Sequence, residues 1–429
     1  MKRFGKTVYQ QPDRLLRDYP AFIYTVFYLF GTYIVLPLWD VPLLGLSISA
    51  PLFFIIAVAV VFSPPTPWFK QNRTWILLTL AILFGIVLST LLNGLLAFGD
   101  KFDSDGTKAL IQYAYWMIVF VITCQFGTQK GVLKQVHTIF AWSIFLLALL
   151  RWGEGIFLSK WGAGNNPTIL TQNSYGFQFS TFSPFLLIKV FETSKLKRLL
   201  WCLALFLCWG AVAINGSRGS WVAISVGTIV CIFLFLISNP RKFANLILVI
   251  LFVVIIGFGL LSSVPVIRSA IQVRLTTFQT LEEDRPFIIR QVLTQKGLSL
   301  FEESPIIGVG ATRFTKSWVE LNIPELLSSR ADEMQVKTSH NSYIQWLAEF
   351  GLLGSITFAT LLITLLIKGF LITRQELTKN NLIPLGLFLS LIQMSVHMWV
   401  IAALTGTLCW FMYGLNVASM KRFSHQEKR

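Results

Sequence analysis

The sequence predicts an all-α polytopic membrane protein of about twelve transmembrane helices with one long, partly helical loop outside the bilayer. Three observations carry that prediction. Hydrophobic residues make up 54% of the chain and charged residues only 13%, where a soluble domain carries about 25% charged residues. Mean hydropathy is +0.65. Uninterrupted apolar runs such as 246–260 have helical length and lack the alternation of barrel strands. A soluble enzyme, a disordered chain and a secreted disulfide scaffold are excluded, because each needs more polar surface than this chain owns.

A bilayer core about 30 Å thick asks for roughly 20 apolar residues per spanning helix. Apolar runs between charged breaks place spans at 21–39, 41–63, 75–98, 109–126, 135–150, 174–191, 199–215, 220–238, 243–262, 342–367, 382–396 and 400–420. The last two form one run that turns near His397. The chain therefore divides into an N-terminal segment (1–19), a first membrane block (20–262), a loop (263–340), a second block (341–420) and a tail (421–429). No small-residue cleavage site follows the first span, which reads as a retained anchor.

The formal net charge is +16. In a soluble protein that would suggest nucleic acid. Here most of the 36 Lys and Arg residues fall in alternate short segments, among them Lys2, Arg3, Lys70, Lys130, Lys195, Arg241, Lys379 and Lys421. That is the positive-inside pattern. It predicts both termini in the cytoplasm, no nucleic-acid partner, and the 263–340 loop outside. Ile267, Ile271, Phe278 and Leu281 in that loop recur near helical spacing, as do Ile289, Val292, Leu293, Leu300 and Phe301. Amphipathic segments of this kind lie on a membrane or cap a bundle. The five cysteines, Cys124, Cys202, Cys208, Cys231 and Cys409, all sit in apolar runs and read as apolar fillers.

Few residues are left to carry chemistry. No phosphate-binding glycine loop, HExxH or GxSxG occurs, and the four histidines have no metal-ligand spacing. Asp103-Ser104-Asp105 has the form of a metal-binding pair but lies among turn residues and reads as a solvated turn. Three places stand out. Ser217-Arg218-Gly219 lies at the outer end of a span, where a guanidinium needs a partner and the flanking glycines allow close approach. Arg285 and Arg290 precede a turn from Pro305 to Gly310. His340 falls where the polar loop enters the membrane, and a helix starting near Asn341 places Tyr343, Trp346, Leu347 and Phe350 at helical intervals. A histidine there is a helix-end polar residue or a proton acceptor. Glu349, two turns on, is a hydrogen-bond partner in the bundle or a functional carboxylate.

At these residues the chain resembles the O-antigen ligase family of bacterial inner-membrane glycosyltransferases. That family shows His followed by Asn, Ser or Gln, nine residues, Gly, two residues, then Gly, Thr or Tyr; His340, Asn341, Gly351 and Gly354 fit without a gap. Ser217-Arg218-Gly219 fits its Ser-Arg-Gly near a mid-chain helix end. Arg290 stands at the family's spacing before Pro305, Gly308 and Gly310, with Arg285 as a competing match and Thr294 where tryptophan is frequent. Asn173, after Asn165-Asn166-Pro167, resembles a common polar entry to a span.

The resemblance implies a fold like that of the lipid-dependent glycosyltransferases and a site facing the periplasm. It implies His340, Arg290 and Arg218 as catalytic residues, with Asn341, Arg285, Asn173 and Tyr343 binding substrate. The implied donor is a glycan on undecaprenyl diphosphate, the acceptor lipid A–core or another outer-facing sugar, and the setting the lipid bilayer. No metal or cofactor is implied, and the displacement is expected to invert the anomeric centre. An O-antigen or capsule polymerase shares these features. A transporter is a third reading, disfavoured by the lack of repeated, broken helices and by the scarcity of charges within spans.

Overall fold

The computed structural model describes residues 21–36, 54–55, 73–96, 104–160, 167, 169–263, single positions between 265 and 276, 284–404 and 406–424. The expected span at 41–63 is outside the described residues, apart from 54–55. The segment 1–19, Asp103, Asn165, Asn166, Ile267, Ile271, Phe278, Leu281 and residues 425–429 also fall outside them.

The described elements are helical. They run α1 (Ala21–Val35), α2 (Arg73–Leu96), α3 (Ser104–Gly127), α4 (Val132–Leu158), α5 (Gln172–Glu192), α6 (Lys195–Asn215), α7 (Arg218–Ser238), α8 (Pro240–Ser263), α9 (Arg285–Glu303), α10 (Ala331–Val336), α11 (Ser342–Thr378), α12 (Ile383–His397) and α13 (Thr407–Ser424). Two short 3-10 turns, Arg313–Thr315 and Glu325–Arg330, fall between α9 and α10. Eleven of the expected spans thus coincide with a helix. By length and composition six are suited to crossing a membrane: 73–93, 105–127, 132–158, 196–215, 218–238 and 342–378.

Two helices outrun their apolar stretch. The expected span 135–150 stops at Arg151, yet α4 continues to Leu158. Arg151 is fully buried: its Nη2 donates to Lys160 O at 2.8 Å, Glu154 Oε2 lies 4.0 Å from Nη1, and the guanidinium sits 5.8 Å from the Tyr175 ring. A charge with internal partners need not end a helix. Likewise α11 continues past Lys368, whose ammonium lies 5.6 Å from the Trp75 ring.

A span rich in polar residues takes the centre. In α5 every residue from Tyr175 to Val190 is buried, Gln178, Ser180, Thr181 and Ser183 among them. Lipid cannot satisfy such groups, so this helix must be surrounded by protein. It packs against α4, α6, α7 and α12. Ser180 and Ser183 contact His397 and Gln393 on α12 at 2.9 and 3.3 Å. Leu77, Leu80, Phe84, Ile229 and Ile255 on outer helices stay exposed, as lipid-facing positions do.

The loop has a core of its own. Ile289, Val292, Leu293 and Leu300, all on one face of α9, pack with Phe314, Val319, Leu327, Met334 and, from α11, Ala348. Gln335 pairs with both backbone groups of Val319, donating at 2.6 Å and accepting at 3.3 Å. Lys296 is buried, donates to Gln335 O and lies 5.4 Å from the Phe314 ring; burial pushes its ammonium down to about 8. The described part of the loop from Asp284 onward is folded and packs on the start of α11.

Candidate active site

Arg218 is the first residue of α7, held by a turn with Asn215 and Gly216 before it. Gln172 at the start of α5 and Asn215 exchange two side chain–backbone hydrogen bonds of 2.7 Å, which lock the two helix ends together. Gly216 takes the left-handed conformation (φ +70°), and Ser217 packs against Gly176 of α5. Gly219 has no room for a side chain: a Cβ there would meet Val400 at 2.2 Å and His397 Nε2 at 3.2 Å. Arg218 then pairs with Asp284, and both side chains are about nine-tenths sheltered from solvent.

Asp284 caps α9, accepting from Phe287 N at 3.1 Å, with Pro286 in the first turn. Arg290 follows on the same helix, half-buried. Burial foremost, then the neighbouring Arg218 guanidinium, pulls its pKa below the usual arginine value, while Asp284 opposes them. Its Nε is buried and has no hydrogen-bond partner among the described residues. Arg285, the competing match, is exposed at the mouth of the helix. Arg290 is the more buried of the two and lies within electrostatic range of Arg218.

His340 is a knuckle in the left-handed conformation (φ +52°), which a non-glycine residue adopts at a cost of about 1–3 kcal/mol. The residues on either side fix it. Ser339 Oγ donates to Asn341 O at 2.6 Å and accepts from Asn341 N at 3.1 Å. Asn341 Oδ1 caps α11, accepting from Tyr343 N and Ile344 N at 3.0 and 3.2 Å. Ser342 ties the helix start to the turn after α12 through Met398 O, Ile401 O and Ala403 N. Burial first, then the positive charges of Arg290 and Lys337, hold the His340 imidazole below its ordinary value. His340 is thus half-buried and within reach of the Arg290 charge.

The expected substrate-binding residues divide. Asn341 has its oxygen engaged as a helix cap. Tyr343 donates its hydroxyl to Ser395 O at 2.8 Å and lies 5.0 Å from the Trp399 ring, so both are fastened to the scaffold. Asn173 stands half-buried in the first turn of α5, next to Gln172. Glu349 is a bundle partner: it is buried, its Oε1 accepts from Gln345 at 3.3 Å, and Thr312 and Phe314 turn backbone N–H groups toward it. Asp105 pairs with Lys316 at 2.8 Å and Lys108 at 3.3 Å on an exposed surface. Among the described residues no group of three His, Cys, Asp or Glu side chains is placed to hold a metal ion.

One site residue was absent from the sequence reading. His397 ends α12, buried against Gly219 and within range of the Arg290 charge. Ser180 Oγ lies 2.9 Å from His397 Nδ1, and His397 Nε2 faces Gly219. The sequence offered only a histidine between two short spans.

The glycine motif is a junction. Gly351 interrupts α11 (φ +58°, ψ −158°), and the strip from Pro305 to Gly310 lies along the break. Val309 N and Gly310 N donate to Ala348 O and Glu349 O, each at 2.9 Å. Leu352 N and Leu353 N donate to Pro305 O and Ile306 O at 2.8 and 3.0 Å. Asn93 of α2 adds a bond to Gly308 O at 2.7 Å. Four backbone bonds thus fix where α9, with Arg290, lies relative to α11, with His340 at its head.

The His340 environment gives a test by pH. Lys337 pairs with Glu333 at 2.8 Å and is removed from the site. Its charge favours the neutral imidazole, so Lys337→Gln raises the His340 pKa. If catalysis uses the neutral ring, the acidic limb of the pH–rate profile moves to higher pH, with little change at the plateau. An unmoved limb would mean that His340 does not act as the neutral form.

No curated protein matches the chain. Residues 203–359 match the family model described as O-antigen ligase. That segment holds Arg218, Arg290, His340 and the junction glycines, and leaves out Asn173.

Proposed function

We propose that this protein is a glycosyltransferase that moves a glycan from undecaprenyl diphosphate to lipid A–core on the periplasmic side of the inner membrane. The observation that carries the proposal is that Arg290, on α9, lies within electrostatic range of both Arg218 at the start of α7 and His340 just before α11. Diphosphate is a good leaving group when its charge is met. Two guanidiniums, always charged and forked, suit that task without needing to reorganise. His340, held neutral by its surroundings, suits the acceptor hydroxyl.

In the proposed step the acceptor oxygen attacks the anomeric carbon as the bond to the phosphate oxygen breaks. The hydroxyl proton passes to His340, or to the departing diphosphate where His340 only orients the hydroxyl, and the diphosphate leaves against Arg218 and Arg290. A single displacement inverts the anomeric centre. The lipid tail of the donor would lie between helices, in the bilayer. This reading places both termini in the cytoplasm and uses no metal.

The test is a lipopolysaccharide gel, with lipid-linked glycan extracted in parallel, from a host lacking the gene. Ligase activity predicts bare lipid A–core and accumulation of lipid-linked polymer. Core carrying a single repeat unit would instead identify a polymerase. An unchanged ladder would overturn the assignment to O-antigen.

A further inference from the structure

The end of α12 touches two parts of the site. On one side it meets the start of α7: a Cβ on Gly219, next to Arg218, would lie 2.2 Å from Val400 Cγ2 and 3.2 Å from His397 Nε2. On the other side it holds the head of α11. Met398 O and Ile401 O accept from Ser342 N at 2.9 and 3.1 Å, and Ser342 Oγ donates to Ile401 O at 2.6 Å. Ser342 follows His340 by two residues. Within the strip, Val400 N donates to His397 O at 2.9 Å. His397 fastens the strip to the bundle. Its ring is buried, Nδ1 lies 2.9 Å from Ser180 Oγ on α5, and the Phe177 ring meets it edge-on at 5.4 Å. In turn α5 presses on α7, where a Cβ on Gly176 would stand 2.6 Å from Ser217 Oγ. Small residues let these helices close around the turn that carries Arg218. An apolar side chain would fill the space of His397 without a partner to find. The imidazole adds a direction, because its hydrogen bond to Ser180 sets which edge faces Gly219.

We propose that His397 and Val400 are positioning residues for transfer: through Gly219 and Ser342 they set Arg218 at a fixed distance from His340. The inference rests on the roles proposed above for Arg218 and His340. It gives the site a second strut, independent of the Gly351 junction that sets Arg290 against His340. Neither residue acts on substrate itself; His397 and Val400 act through Arg218. A misplacement of about 1 Å costs a transfer reaction about 10²-fold, so the strut governs rate without contributing a reacting group.

The experiment measures transfer from lipid-linked glycan by the purified full-length protein, per folded molecule, with melting temperatures in parallel. Gly219→Ala puts a methyl against Val400 and should lower kcat by about 10²-fold with KM for the donor little changed. Adding Val400→Ala moves the bulk from one side of the contact to the other. The double variant should regain about tenfold in kcat. His397→Leu fills the space without the hydrogen bond to Ser180, and should lower kcat more than His397→Asn, which keeps a polar group toward it. A merely structural role would lower the amount of folded protein and its melting temperature, and leave kcat per folded molecule alone. That result would overturn the proposal. So would a double variant that melts like wild type yet regains no activity, since the glycine would then be needed to admit substrate. If the wild type transfers nothing, the glycosyltransferase reading falls and the inference with it; an active wild type beside an unrescued double variant sinks the inference alone.

Discussion

Replacing Arg290 with alanine removes transfer by at least about 10³-fold, while the protein still reaches the membrane at normal levels. The expectation follows from what the residue touches. Arg290 is not a packing residue of the loop core, which Ile289, Val292, Leu293 and Leu300 build on the adjacent face of α9. It has a buried Nε with no hydrogen-bond partner among the described residues, and its charge is within range of Arg218 and His340. A group held in that way contributes most when charge develops on a departing anion. Arg290→Lys keeps a charge but loses the fork, and should recover only part of the rate. The exposed Arg285 separates the two matches left open by the sequence: Arg285→Ala should cost far less than Arg290→Ala. The measurement is transfer from purified lipid-linked glycan, normalised to protein in the membrane. Equal losses at 285 and 290, or none at 290, would refute the assignment. A further consequence concerns pH. Arg290 presses the His340 pKa down, so the residual activity of Arg290→Ala should fall away at a higher pH than the wild type's.

Hydropathy and charge made the helices legible, because lipid punishes unpaired backbone and polar groups so heavily that spans announce themselves. What they did not reveal was where a charge has a partner. Arg151 reads as the end of a span, yet the Lys160 carbonyl, the Glu154 carboxylate and the Tyr175 ring meet it inside the bundle. Arg218, Arg290 and His340 were legible as candidates because their types and spacing fit a family pattern and the expected topology puts them on one side of the bilayer. His397 was not. Its environment is made by Gly219, Ser180 and the Arg290 charge, contributed by three other helices, and nothing beside it in the chain reports them. Asp284 was hidden for a similar reason: one more loop carboxylate until the fold sets it against Arg218. Asn341 and Tyr343 show the reverse case. They lie within the motif, but their hydrogen bonds go to the helix start and to Ser395.

The motif glycines should be as sensitive as the charged residues, through a different failure. Gly351 adopts φ +58° and ψ −158°, a region open in practice to glycine alone. A Cβ there would stand 2.5 Å from Gly308 N and 2.6 Å from Ile306 C and O. These are backbone atoms, Gly308 N bonded to Ser304 O and Ile306 O to Leu353 N, so they cannot turn aside as a side chain would. Strain of about 1–3 kcal/mol and overpacking of about 1–3 kcal/mol together amount to a large share of a domain's stability. Gly351→Ala should therefore lower both the amount of folded protein and its melting temperature. The protein that survives should transfer poorly, because relief of the clash moves the Pro305–Gly310 strip and, with it, Arg290 relative to His340. Gly308→Ala should behave alike, since its Cβ would lie 2.4 Å from the backbone of Glu349 and Phe350. Gly259→Ala is the matched control: α8 leaves open space around that position, and alanine favours the helix. Melting curves and transfer rates on the three variants decide the matter. If Gly351→Ala melts and works like Gly259→Ala, the junction does not fix the distance between the arginine and the histidine.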